Sequence, residues 1–251
     1  MNRSIKNSLK VGFFATLMIA GVSSCSDAQM KQITKTAGDL GKVLNTGNPL
    51  TNDEVVKGLK EALTQGITKA SGSASAVGGF AKNPLLFIPF PPEAKEIETK
   101  LRSIGLGNLC DQFTESLNHG AELAAGKAVP IFAGAITNMS IGDGFEILKG
   151  NKDAATRYLE TNTSSKLFAA FKPVIETALG QSNATKYWGD IISAYNKIPF
   201  IKKMNPDLAS FATTKSIEGL FKLIQGEESN IRQNASARTS DLLKRVFGQQ
   251  P

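Results

Sequence analysis

The sequence predicts an all-α fold: an irregular multi-helix domain with two proline-containing extended connections. Three observations carry that expectation. Beyond residue 50, apolar residues recur at intervals of three and four, the spacing of one buried helix face. Helix-start chemistry precedes several of these runs, first at TNDE, where Thr51 and Glu54 stand at capping-box distance. Finally, NPLLFIPFPPE and IPFIKKMNP gather prolines among apolar residues, which breaks helices and favours extended backbone.

Taken in order, residues 25–50 read as a lipidated start followed by a tether or a loosely docked helix. Ile33, Ala37, Leu40 and Leu44 have helical spacing, but Gly38, Gly41 and Gly47 weaken it. The helical domain spans residues 51–248, with a short tail at 249–251. Behind TNDE, Val55, Val56, Leu59, Ala62, Leu63 and Ile67 make one apolar face, and Gly72, Gly78 and Gly79 end that helix. Leu85, Leu86, Phe87, Ile88 and Phe90 are then expected in an extended stretch crossing other helices. Core packing, a ligand groove and a membrane-facing loop are the three readings of that stretch.

Residues 93–103 suit a helix, and Gly105 and Gly107 separate it from one with Leu106, Leu109, Cys110, Phe113, Leu117, Ala121 and Ala124 on its apolar face. Pro130 should begin or bend the next helix, which carries Phe132, Ala135 and Ile136. Ser140 stands at capping distance from Asp143 ahead of Phe145, Ile147 and Leu148. Residues 151–159 read as a short separate helix, and 163–179 as a helix bent or divided at Pro173. Tyr187, Trp188, Ile191, Ile192 and Tyr195 make the next face. The second proline connection holds Ile198, Phe200, Ile201 and Met204, a helix follows over 207–225, and Ser240 should cap the last one.

The start of the chain speaks to location. Arg3, Lys6 and Lys10 precede twelve residues, VGFFATLMIAGV, too few to cross a bilayer as a stable helix, which takes about 20. The layout fits a signal peptide over residues 1–24. Val22-Ser23-Ser24-Cys25 resembles the lipobox of bacterial lipoproteins, whose cysteine is lipidated and becomes the first mature residue. That resemblance implies a membrane anchor of acyl chains on Cys25, each buried methylene contributing roughly 0.8 kcal/mol. Soluble secretion and an uncleaved anchor are the competing readings. The expected location is the bacterial cell envelope, lipid-anchored and facing the periplasm, with inner and outer membrane both open.

Removal of residues 1–24 leaves 26 basic against 22 acidic residues, a net +4. So small an excess, without basic runs interleaved with aromatics, predicts no nucleic-acid partner. With Cys25 modified, Cys110 has no intrachain partner, so no disulfide framework is expected; Cys110 reads as a packed small side chain.

Four groups of residues are candidate sites. Asp111, Glu115, His119 and Glu122 form a polar helical stripe that suits a metal ligand or acid/base pair, though a solvated face looks the same. Leu86, Phe87, Phe90, Trp188 and Phe200 are candidates for lining an apolar-ligand groove. Arg232, Arg238 and Arg245 suit anion binding, with Glu227, Glu228 and Asp241 as competing internal partners. Cys25 is the lipidation site. GDG in NMSIGDGFEILKG lacks the ligand alternation of a calcium loop and the lysine of a P-loop, and no cofactor is expected.

Seven stretches, TNDEVVKGLKEAL, IPFPPEAKEIETKLRSIGLG, AATRYL, FKPVIE, YNKIPFIKK, LFKLI and IRQNASARTSDLLKRVFG, resemble in order a bacterial envelope family catalogued as domain of unknown function 4197. The resemblance covers residues 50–248. It implies a helical exported domain and supplies no catalytic residues. Asn234-Ala235 stands where that family commonly has Asn-Pro. The leading expectation is therefore an anchored interaction or envelope-support module that is not an enzyme. Carriage of a hydrophobic small molecule is the first alternative, and a hydrolase or metal-dependent enzyme centred on His119 the second.

Overall fold

Thr51 opens the first helix by the chemistry its sequence predicts. Its hydroxyl accepts from the Glu54 N–H at 3.2 Å, and the Glu54 carboxylate accepts from the Thr51 N–H at 2.9 Å. The structure is a computed structural model and describes residues 50–197, 199–200, 203 and 207–248, without the side chains of Ala194 and Tyr195. The signal peptide, Cys25, the segment through residue 49, the tail at 249–251 and Ile198, Ile201 and Met204 lie outside the described residues.

Among the described residues there are nine α-helices and no strand: α1 (Asn52–Ser75), α2 (Lys95–Ser103), α3 (Gly107–Ala125), α4 (Ala128–Thr137), α5 (Ile141–Lys149), α6 (Ala154–Gln181), α7 (Ala184–Tyr195), α8 (Leu208–Gln233) and α9 (Asp241–Gly248). This is the irregular all-α domain expected. Short 3₁₀ turns at Pro92–Ala94 and Ala235–Ala237 precede α2 and follow α8. Ser140 and Asp143 form the capping box of α5, and the Ser240 hydroxyl accepts from the Leu243 N–H at 3.2 Å to start α9. The turn at Ala235–Ala237 forms without a proline.

The core is arranged around α6, which packs on α3, α4, α5, α7 and α8, while α1 packs on α3, α4, α5, α8 and α9. Leu159, Thr163, Leu167, Phe171, Ile175 and Leu179 of α6 are all buried and stand four residues apart, a continuous ridge of the kind that interlocks with a neighbour's grooves. Thr163 satisfies its buried hydroxyl by donating to the Leu159 carbonyl at 2.6 Å. Phe132 of α4 and Phe221 of α8 meet edge to face, centroids 5.8 Å apart. The connection after α1 approaches α8 closely where a side chain is absent: a Cβ added at Gly219 would lie 3.2 Å from Leu86 and 3.3 Å from Phe80.

Three expectations need correction. The two stretches expected on either side of residue 160 are one 28-residue helix, and Pro173 does not divide it. Pro173 and Ala169 are both exposed, so the carbonyl deprived of its donor faces solvent while the buried ridge runs uninterrupted beneath it. The helix expected to end at residue 225 continues to Gln233 because Glu228 in its polar final turns points inward. Leu109 and Tyr187, assigned to apolar faces, are exposed.

A buried carboxylate and a half-buried guanidinium join these helices. The N-cap residue of α6, Asp153, makes no side-chain cap and instead pairs with Arg157. The orphan donors are met from α8: the Glu228 carboxylate accepts from the N–H groups of Ala155 (3.0 Å) and Thr156 (2.9 Å) and from the Thr156 hydroxyl (2.7 Å). Arg232, one turn on, donates to Glu228 at 2.9 Å and to the Ile147 carbonyl at 2.9 Å in the last turn of α5. The negative group thus lies at a helix N-terminus and the positive group at a C-terminus, both favourable to the helix dipoles.

Arg232→Ala leaves the buried Glu228 carboxylate without its cation, and Glu228→Ala leaves the buried donors of Ala155 and Thr156 unmet, so each should cost about 3 kcal/mol. A paired Glu228→Leu/Arg232→Met change should be clearly milder than the two losses added, which a double-variant cycle in urea unfolding measures. Strict additivity would show that the ions are uncoupled. Gly66 of α1 has room for a methyl, its nearest neighbour being Glu227 Cβ at 3.4 Å, so Gly66→Ala should stabilise by about 1 kcal/mol. Calorimetric melting checks this, and Gly219→Ala, with closer neighbours, should gain less or lose.

Candidate functional site

Two polar residues of α3 fix the connection between α1 and α2, which runs over residues 76–91. Asn118 and Glu122, four apart, stand on one edge of the helix's apolar arc. The Asn118 side-chain amide accepts from the Ile88 N–H at 2.9 Å and donates to the Ile88 carbonyl at 3.0 Å, pairing with extended backbone as a neighbouring strand would. The Glu122 carboxylate accepts from the N–H groups of Phe80 (3.1 Å) and Ala81 (3.2 Å). Leu86, Ile88 and Phe90 are buried, while Leu85 and Phe87 are exposed; residues 84–86 form a hydrogen-bonded turn closed on the Asn83 carbonyl, in place of the extended backbone expected there.

The polar stripe on the same helix is thereby dispersed. Glu122 faces inward and is committed to the connection, whereas His119 is exposed, its Nδ1 lying 4.0 Å from the second Glu122 oxygen and beyond hydrogen-bond reach. Asp111 pairs with Arg102 at 2.8 Å, and Glu115 faces solvent. Among the described residues, no group of three or more His, Cys, Asp or Glu side chains is placed to hold a metal ion.

The candidate ligand-lining residues fall in three places. Phe90 and Trp188 meet at 6.1 Å between centroids, and Phe113 completes the cluster at 4.6 Å from Phe90 and 5.6 Å from Trp188. Leu86 is seated over Gly219 of α8, and Phe87 and Phe200 are exposed, Phe200 with a left-handed φ of 66°. A cavity of about 30 Å³ does exist elsewhere, between α1, α8 and α9, lined by Leu59, Leu63, Ile67, Ile224, Ile231 and Phe247 with Glu228 and Arg232 at its wall. Its volume is far below the roughly 150 Å³ that admits a benzene ring.

The candidate anion-binding arginines are engaged inside the fold. Arg232 holds Glu228 and the end of α5, as described above. Arg238 donates to the carbonyls of Ile231 (3.0 Å) and Arg232 (2.8 Å), capping the C-terminus of α8. Arg245 reaches Glu54 at 3.2 Å, joining α9 to the start of α1. Cys110 is buried, and burial pushes its thiol up from the ordinary value.

A further charged group lies where α8 begins. The Lys172 ammonium of α6 sits 2.7 Å from Asp207, the N-cap of α8, and 2.9 Å from the Ser210 hydroxyl. The Lys172 bond, and then those from Ser210, hold the Asp207 carboxyl down at about 2.

A family model described as protein of unknown function (DUF4197) matches residues 49–248. This chain belongs to that family. No curated protein and no solved structure matches it. Within this DUF4197 chain, the stretches that carried the resemblance have structural work: IPFPPE is the connection clamped by Asn118, and IRQNASARTSDLL contains the two arginines that cap α5 and α8. Asn118 itself was invisible as a site because one amide among Leu117 and Ala121 reads as an interruption of the apolar face. Its only sequence signal is a polar residue at a core position.

Asp207 has its pKa depressed on folding, so its contribution to stability is present above about pH 4 and is lost as pH falls toward about 2. Carbon-detected NMR titration of the Asp207 carboxyl should find a midpoint near the lower value. Lys172→Met should raise that midpoint and flatten the acid dependence of stability across the same window; an unmoved midpoint would show that Lys172 is not its cause.

Proposed function

We propose that this DUF4197 chain is an exported lipoprotein of the bacterial cell envelope, fastened to a membrane through acyl chains on Cys25. Its helical domain serves there as an interaction or support module rather than as a catalyst. The observation that carries the reading is the start of the sequence: Arg3, Lys6 and Lys10, twelve apolar residues, then Val22-Ser23-Ser24-Cys25. Anchoring by lipid agrees with a domain in which, among the described residues, no helix is long and apolar enough to span a bilayer.

Support for a non-catalytic domain comes from where its polar groups are spent. Glu122, the carboxylate a His119 mechanism would need, already accepts two backbone N–H groups. Arg232 and Arg238 are likewise occupied by carbonyls at helix ends. In this reading the outer surface, and not a buried constellation, meets the partner.

In cells, inhibition of lipoprotein signal peptidase by globomycin should make a heavier precursor accumulate. Intact-protein mass of untreated material should show loss of residues 1–24 and an acyl adduct at Cys25, and Cys25→Ala should abolish both the adduct and detergent partitioning. Mature protein of unmodified mass, or a retained signal peptide, would refute the anchor.

A further inference from the structure

We propose that the connection between α1 and α2 is a membrane-contact tip, with Val77, Leu85 and Phe87 entering an anionic lipid surface; that the surface is the one holding the chain rests on the lipoprotein reading above. The three side chains are 97%, 65% and 44% exposed, whereas their neighbours Leu86 and Ile88 are buried. Outward placement is imposed by the backbone. Glu122 holds the connection at Phe80 and Ala81 and Asn118 holds it at Ile88, and the turn closed on Asn83 between them seats Leu86 inward and leaves Leu85 and Phe87 outside.

The tip is also chemically prepared for a medium poor in water. The Asn83 carbonyl accepts from the N–H groups of Leu86 (3.0 Å) and Phe87 (2.8 Å), and the Asn83 side chain accepts from Leu85 at 3.0 Å. Pro84 has no N–H to satisfy. Three consecutive donors are therefore closed within the turn, which lowers the cost of bringing it to the lipid interface.

Charge favours an anionic surface. The sequence has no acid between Glu61 and Glu93, and its cations there are Lys69 and Lys82. Lys69 pairs with Glu227, whereas Lys82 is exposed with its aliphatic stem lying along Gly78, beside Val77. A lysine at the rim of an apolar tip is the arrangement that anionic headgroups reward.

Size argues for lipid over a protein partner. A stable protein interface takes about 800 Å² from each side, far more than three side chains supply. A bilayer asks less of a domain already tied to it: the 24 residues between Cys25 and Leu50 extend at most about 3.5 Å each, keeping the tip at high effective concentration. Burial of each large apolar side chain then favours the docked state on the order of tenfold or more.

The test uses the full chain expressed with its natural start and reconstituted into vesicles of equal parts phosphatidylethanolamine and phosphatidylglycerol. An environment-sensitive fluorophore is placed through Leu85→Cys or, as a control, through Glu160→Cys at an exposed position of α6; buried Cys110 is protected. The label at position 85 should shift to the blue and be quenched severalfold more than that at 160 by spin-labelled lipid, and Phe87→Gln with Lys82→Gln should reverse most of the difference. Circular dichroism and melting confirm that these exposed variants keep the fold. Equal quenching at both positions would overturn the proposal, as would shielding of position 85 that grows with protein concentration in the absence of vesicles, the mark of a second copy. Intact mass of the same sample reports the anchor separately, and a Cys25→Ser chain whose vesicle co-sedimentation depends on Leu85 and Phe87 would keep the tip while removing the anchor.

Discussion

The Glu228–Arg232 pair answers the difficulty that an irregular helical domain creates for itself. Nine helices among the described residues have many ends, and each end leaves backbone groups without intrahelical partners. At the surface water would satisfy them. Where α5 hands over to α6 the ends are covered by α8, so a carboxylate is brought to the N–H groups of Ala155 and Thr156 and a guanidinium to the Ile147 carbonyl. Each ion compensates the other and the dipole it faces, which makes the burial of the Glu228 carboxylate tolerable.

The same solution recurs with different donors. Arg238 covers the end of α8, and the Lys60 ammonium of α1 donates to the Thr137 carbonyl at 3.0 Å at the end of α4. Asn118 and Glu122 extend it to non-helical backbone, supplying partners to Ile88 and to the N–H groups of Phe80 and Ala81. Long-range side-chain caps thus hold the helix packing order, and the closed row of buried residues on α6 supplies the apolar contact against which they are set.

What the sequence disclosed, and what it hid, follows from this division. Local features were legible: the capping boxes at Thr51 and Ser140, the periodic faces, and the breaking power of prolines 84 to 92 all depend on neighbours a few residues away. Partners 42 to 77 residues distant were not, because Glu122 and Glu228 look like ordinary exposed carboxylates until the segment they cap is placed against them. The polar stripe on α3 therefore read as a possible centre, when its innermost carboxylate was holding a loop. Pro173 misled for the opposite reason: its local penalty was real, but an exposed position let solvent take the freed carbonyl.

These long-range commitments also decide where function is to be sought. A side chain that caps a distant helix cannot be diverted to a ligand without uncovering that end, so Glu122, Glu228, Arg232 and Arg238 are poor candidates for chemistry however suggestive their types. Groups that stabilise nothing nearby are the informative ones. Leu85 and Phe87 belong to that class: the turn that exposes them is hydrogen-bonded through its own asparagine and clamped by two buried residues, so their exposure is held by structure and is not the slack of a loose loop. Single exposed apolar side chains are common on any domain; in the proposal made above it is the fixed turn beneath Leu85 and Phe87 that offers them to a lipid surface, which takes them up over a small contact area.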